Sequence, residues 1–129
     1  FIDPALSVYL SGYHDRDSLK KSREIGQFFE TLVFLHLKVL AECMVPKGRL
    51  YYWRTVTGKE VDFVLEQGKN LYAFEVKLSK KPLLNDAKNL IEFTGHFPET
   101  KMAFLVHAGG TIRYLHSKVL AVPWWWILR

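Results

Sequence analysis

EVDFVLEQGKNLYAFEVK, residues Glu60 to Lys77, alternates apolar and polar residues on both sides of Gln67 to Asn70. That is the pattern of two strands joined by a tight turn. A turn centred on Gly68-Lys69 fixes the register: Glu66 faces Leu71, Val64 faces Ala73, and Asp62 faces Glu75. Side chains alternate along a strand, so Asp62, Glu75 and Lys77 share one face. Directly facing residues hold their Cβ atoms about 4.5–5.5 Å apart. Two carboxylates at that separation repel unless a cation lies between them or one takes a proton.

Three explanations fit such a cluster. Lys77 neutralises the acids as a structural ion pair, and in this register it also reaches Glu60. The strand lies at a sheet edge and uses inward charge against aggregation. Or Asp62 and Glu75 hold a divalent metal, Mg²⁺ or Mn²⁺, through oxygen ligands. In the third case Lys77 has chemical work: it orients or deprotonates a water, or stabilises charge on a phosphate. Glu30 bears on the choice. It lies in an apolar helical segment, with Phe34 and Leu37 following at i+4 and i+7 and Gly26 at i−4. An acid there reaches solvent at a helix edge or points into the same site.

Outward from the hairpin, Asp3-Pro4 starts a helix that Gly12 ends. His14 to Arg23 reads as a loop running into a helix, and Ser22 to Cys43 as one long helix. Leu50 to Thr55 is a strand and Thr57-Gly58 a turn. A helix capped by Asn85 runs to Gly95, Lys101 to His107 and Thr111 to Leu115 are strands, and Val119 to Leu128 is an apolar, aromatic tail. The expected order is helix, helix, three strands, helix, two strands.

At 129 residues, 49% of them apolar and 15% aromatic, the chain suits one domain spanning 1–129 with a core of its own. The net charge of +5 permits a polyanionic partner without requiring one. One cysteine, Cys43, excludes an internal disulfide and reads as a small buried hydrophobe in a reducing, cytoplasmic setting. No apolar run suits a membrane span and no signal peptide is present. The first residue, Phe1, is read as the start of a fragment whose missing part lies upstream. There is no phosphate-binding G-x-x-x-x-G-K-[ST] loop, so ATP hydrolysis by that route is excluded. The five histidines lack metal-ligand spacing, and His36 reads as a satisfied core histidine. Trp124-Trp125-Trp126 caps a core or packs on a partner, or else stacks on bases.

An acid on an early helix followed by Asp, a hairpin and Glu-x-Lys is the order of the PD-(D/E)xK nuclease superfamily. With FIDPALSVYL, GQFFETLVFLHL, YYWRTVTGKEVDFVLEQGKNLYAFEVKLSKKP and VPWWWIL, essentially the whole chain resembles one family: the C-terminal domain of unknown function of prokaryotic AAA+-type ATPases. The resemblance implies an α/β fold with a restriction-endonuclease-like core, a mixed central sheet flanked by helices, and an ATPase module upstream. It places the catalytic motif on Glu30, Asp62, Glu75 and Lys77, with Val61-Asp62 where the superfamily has Pro-Asp. The leading expectation is a metal-dependent nuclease-like domain acting on DNA phosphodiesters. Asp62 and Glu75 would be the metal ligands, Glu30 would assist through water, and Lys80 and Lys81 would hold the DNA backbone. The rival is a non-catalytic DNA- or protein-binding module of an ATPase. A self-association domain using the tryptophan tail is the third reading.

Overall fold

In the computed structural model, which describes residues 3–128, six strands form one mixed sheet in the order β1-β2-β3-β4-β6-β5. They are β1 (Arg49–Arg54), β2 (Glu60–Gln67), β3 (Asn70–Lys77), β4 (Thr100–His107), β5 (Arg113–His116) and β6 (Val119–Pro123). β1, β2 and β3 run as an antiparallel meander, while β3, β4 and β6 run parallel. The helices are α1 (Pro4–Leu10), α2 (Arg16–Lys21), α3 (Ile25–Cys43) and α4 (Lys88–His96). This is a mixed α/β domain. Among the described residues, no helix is long and apolar enough to cross a membrane.

The two faces of the sheet build two cores. On one, α3 buries Phe29, Val33, Leu37 and Ala41, one residue per turn, against Leu65, Phe74, Val106 and Val122. On the other, α4 packs Leu90 and Phe93 against Val61, Val64, Ala73, Ala103 and Leu105. Phe93 meets Trp53 edge-on, with ring centroids 5.4 Å apart. The crossover from β3 through α4 to β4 is what a parallel pair requires, and it leaves the ends of β3, β4 and β6 together at Lys77, His107 and Pro123.

The local start and stop signals act as the sequence suggests. Asp3 accepts the N–H groups of Ala5 and Leu6 at the head of α1. Gly12, at φ +89°, ends the helix. Gly68 takes φ +59° in a two-residue turn between Gln67 and Asn70. A positive φ at the first turn position only is the type II′ arrangement, whose twist suits a hairpin.

Four details differ from expectation. The segment His14 to Arg23 contains a helix of its own, α2, capped by Asp15, whose carboxylate accepts the Ser18 N–H at 2.8 Å. The apolar tail includes a sixth strand, β6, inserted between β4 and the edge strand β5. Asn85 does not cap α4. A 3₁₀ turn, Leu84–Ala87, precedes that helix, and Asp86 accepts the Leu83 N–H at 2.8 Å. Cys43 is exposed, because it lies two residues beyond Ala41, about 200° round the helix from the buried stripe.

The tryptophan run is a 3₁₀ turn, Trp124–Leu128, lying against α3 and the sheet. Trp124 stacks on His36 at 5.8 Å and Trp126 lies 5.8 Å from Phe104. Burial pushes the His36 pKa down, and its Nδ1 has no hydrogen-bond partner among the described residues.

Candidate functional site

The hairpin keeps the expected register from Gln67 opposite Asn70 to Phe63 opposite Phe74, and there the backbone ladder stops. The next step would pair Asp62 with Glu75. Instead the Asp62 carboxylate accepts the Val76 N–H at 2.7 Å, so a side chain replaces the main-chain partner. The cause lies on the other flank of β2. Tyr51 faces Val64 but Trp53 faces Val61, leaving Asp62 and Phe63 together opposite Tyr52. That is a β-bulge, which bends a strand and re-aims its side chains. It also explains why Val61 and Val64, three residues apart, share the core under α4.

Glu75 follows Ala73 on the α4 side of β3 and is 7% exposed. Burial, and then the neighbouring Asp62 charge, push its pKa up to about 8, while Lys77 pulls the other way. The Lys77 ammonium is 3.8 Å from Glu75 Oε1, and Glu75 Oε2 is buried with no hydrogen-bond partner among the described residues. A lysine at that range, itself partly in water, does not satisfy the carboxylate. Asp62 is also raised, chiefly by burial, against the opposing effects of the Val76 N–H and Lys77. Glu60 goes to Arg54 rather than Lys77, at 4.0 Å.

Glu30 arrives from the other side of the sheet. It is half-buried on α3 and shares a hollow of about 180 Å³ with Thr31, Phe34 and Phe63. Its pKa is raised by burial first and then by Asp62 and Glu60. A Cβ at Gly26, one turn earlier, would meet nothing within 4 Å, so there is space beside that turn of α3. Asp62 therefore raises Glu30 electrostatically, although Glu30 is not among the charges that shift Asp62; on Glu75, Glu30 is the weakest of the charged influences.

On the α4 side, Glu75 and Lys77 line a cleft of about 290 Å³ with Asn85, Asp86, Lys88 and Asn89. Lys80 and Lys81 are exposed in the segment after β3 and do not line it. That segment is pinned to the loop after β4. Ala108 donates its N–H to the Ser79 carbonyl at 3.2 Å, and a Cβ on Gly109 would collide with the Lys80 carbonyl oxygen. The buried His107 closes the same loop: Nδ1 accepts the Gly109 N–H and Nε2 reaches the Thr111 carbonyl, both at 2.9 Å. An accepting Nδ1 and a donating Nε2 make this the neutral imidazole. Spacing gives no hint of Lys88, Asn89 or His107, because each is brought in by the β3–α4–β4 crossover.

The residues present suit a hard divalent ion in one specific respect. Glu75 Oε2 lacks any partner among the described residues, and one Asp62 oxygen is free of the Val76 bond. No group of three or more His, Cys, Asp or Glu among the described residues is arranged to hold a metal. An ion held here would rely on Asp62 and Glu75 and keep several waters, as Mg²⁺ does.

Without metal, the raised acids make stability fall as pH rises. Between the ordinary Glu value of 4.5 and about 8, the folded chain holds a proton on Glu75 that the unfolded chain has lost. Unfolding then releases a proton, so increasing pH favours it. The loss is a few kcal/mol in all, on the order of 1.4 kcal/mol for each pH unit between the two values. His36 and His107, both lowered, oppose this below their ordinary value of 6.5. The clean window is therefore pH 6.5 to about 8. Thermal melting in EDTA should fall across it, and Glu75→Gln should flatten the decline; an equal decline in the variant would remove Glu75 as its source.

The fold and site define a mixed α/β domain with a carboxylate–lysine cluster where its central hairpin meets its parallel strands. The chain belongs to the family described as Domain of unknown function (DUF4143), whose model matches residues 25–127. It is similar to Uncharacterized protein Rv2008c of Mycobacterium tuberculosis and Uncharacterized protein Mb2031c of Mycobacterium bovis. Each is 34% identical over 83 residues, which is 64% of this chain and 18% of the relative's length.

Proposed function

We propose that this chain is a metal-dependent nuclease-like domain of the PD-(D/E)xK type, acting on DNA phosphodiesters and attached to an ATPase module in its parent polypeptide. The observation that carries the reading is the unpartnered Glu75 carboxylate oxygen, buried beside Asp62 and Lys77. A structural ion pair gains most when both carboxylate oxygens are engaged, since a buried unsatisfied carboxylate oxygen costs stability. The antiparallel β2–β3 hairpin running into the parallel β3–α4–β4 unit supports a restriction-endonuclease-like core.

In this reading Asp62 and Glu75 hold Mg²⁺ or Mn²⁺. The ion supplies Lewis-acid polarisation of a phosphoryl oxygen and a water of lowered pKa. Lys77 positions the attacking water and offsets charge on the phosphate. Glu30 orders water from the α3 side. The ends of β3, β4 and β6 form the kind of strand terminus where open α/β sheets bind ligands. The deciding experiment incubates plasmid and branched DNA with Mg²⁺ or Mn²⁺, using both this chain and a longer, ATPase-containing polypeptide. Metal-dependent nicking is expected. Its absence in both forms, together with no melting shift on adding either metal, ends the nuclease reading.

A protein-binding module is favoured by a separate feature. Leu40, Met44, Tyr72, Phe104, Trp126 and Ile127 line an apolar hollow of about 330 Å³ beside the tryptophan turn. A non-catalytic module that binds DNA instead would depend on Lys80 and Lys81, with strong salt dependence, and would be indifferent to Asp62→Asn.

A further inference from the structure

We propose that Lys88 and Asn89, on the first turn of α4, grip a phosphate of the nucleic-acid backbone in the cleft that Glu75 and Lys77 line. The inference rests on the nuclease reading and names how that site would hold its substrate. The cleft, about 290 Å³, has room for a phosphate group with several waters, each of which takes about 30 Å³.

Its lining is divided chemically. Glu75, more than nine-tenths buried, keeps one buried oxygen with no partner among the described residues and so calls for a cation or a donor. Asp86 gives one oxygen to the Leu83 N–H in the turn before α4 and keeps its charge, so it adds to the call for a cation. From α4 the lining also takes the donors Lys88 and Asn89. The natural partner of Lys88 is Glu92, one turn along α4 at i+4. Glu92 is taken by Lys59 from the β1–β2 connection, at 2.8 Å, and also meets His96. Lys88 is left with no ion-pair partner among the described residues, and half-buried Asn89 lies next to it. A lining that holds both an unpartnered carboxylate oxygen and a lysine without an ion pair fits a phosphodiester arriving with its counter-cation. Lys80 and Lys81 lie outside this cleft and would reach only neighbouring phosphates.

The test is fluorescence anisotropy with a labelled DNA duplex, in Ca²⁺ as an oxygen-liganded cation, at several salt concentrations. The double variant Lys88→Ala/Asn89→Ala is expected to bind about tenfold more weakly, with the slope of log K against log salt reduced by about one. Lys101→Ala removes the same charge from the start of β4, at the far end of the sheet, and should change neither quantity. Lys88→Gln, which keeps a long side chain on the helix, checks that any loss follows charge rather than folding; melting curves are read alongside. The proposal is overturned if the double variant binds like wild type, if Lys101→Ala weakens binding as much, or if wild type binds no DNA. The two readings fail separately. A salt-dependent loss, with no cleavage by either form and no melting shift on adding metal, sinks the nuclease and keeps the phosphate site, whereas intact cleavage and binding in the double variant does the reverse.

Discussion

Asp62→Asn is expected to abolish the melting shift produced by Mg²⁺ or Mn²⁺ and to reduce cleavage by at least about 100-fold, the scale on which loss of an electrostatic catalytic group is felt. The substitution is narrow. Asparagine keeps the size of the side chain, and its amide oxygen can still accept the Val76 N–H that holds the bulge at 2.7 Å. What disappears is the charge. In wild type, a divalent ion at a hundredfold excess over its Kd stabilises the fold by about 2.7 kcal/mol, and that is the stabilisation the variant should lose. The metal-free variant should melt slightly higher than wild type, because the Asp62 charge is the second cause, after burial, of the raised Glu75 pKa. A variant that kept the full metal-dependent stabilisation would show that Asp62 is not a ligand. The carboxylates would then be a structural cluster on an unchanged fold.

Much of this site is legible in the sequence because strands obey a two-residue period. Gly68-Lys69 set the register, and the register brings Asp62 towards Glu75 and Lys77. Glu30 is legible from the opposite clue, an acid among aromatic and aliphatic helix positions. The bulge at Asp62 is not legible. It depends on how β1 pairs with β2, and no local pattern in EVDFVLEQ marks one extra residue. The same limit hides β6. VLAVP is a short apolar run without alternation, which a central parallel strand and the lead into an aromatic tail share. Cys43 escapes the expected burial because helical apolarity extends beyond the buried stripe: Val39 and Leu40 are exposed on the same turns. Lys88 and Asn89 carry no motif. Their place beside Glu75 is a product of the crossover, and Lys88 lacks its i+4 acid because Glu92 pairs with Lys59.

Lys77→Ala should part company with Asp62→Asn. Its ammonium is 3.8 Å from Glu75 and opposes the raised pKa of both acids, yet it supplies no metal ligand. Removing it leaves Asp62 and Glu75 more repulsive towards each other and more in need of a cation. The metal-dependent melting shift should therefore survive or grow, while the pKa of metal-free Glu75 rises further. Cleavage should fall by about 10²–10⁴, the contribution of a positioned group that manages a proton or a water in the transition state. Loss of cleavage with metal binding retained is a pattern that a structural ion pair does not give. If Lys77 served only to neutralise Glu75, added Mg²⁺ would replace it and cleavage would return at saturating metal. Full activity of Lys77→Ala at saturating Mg²⁺ would thus assign Lys77 to charge balance alone, and the attacking water would have to be oriented by Glu30 from α3.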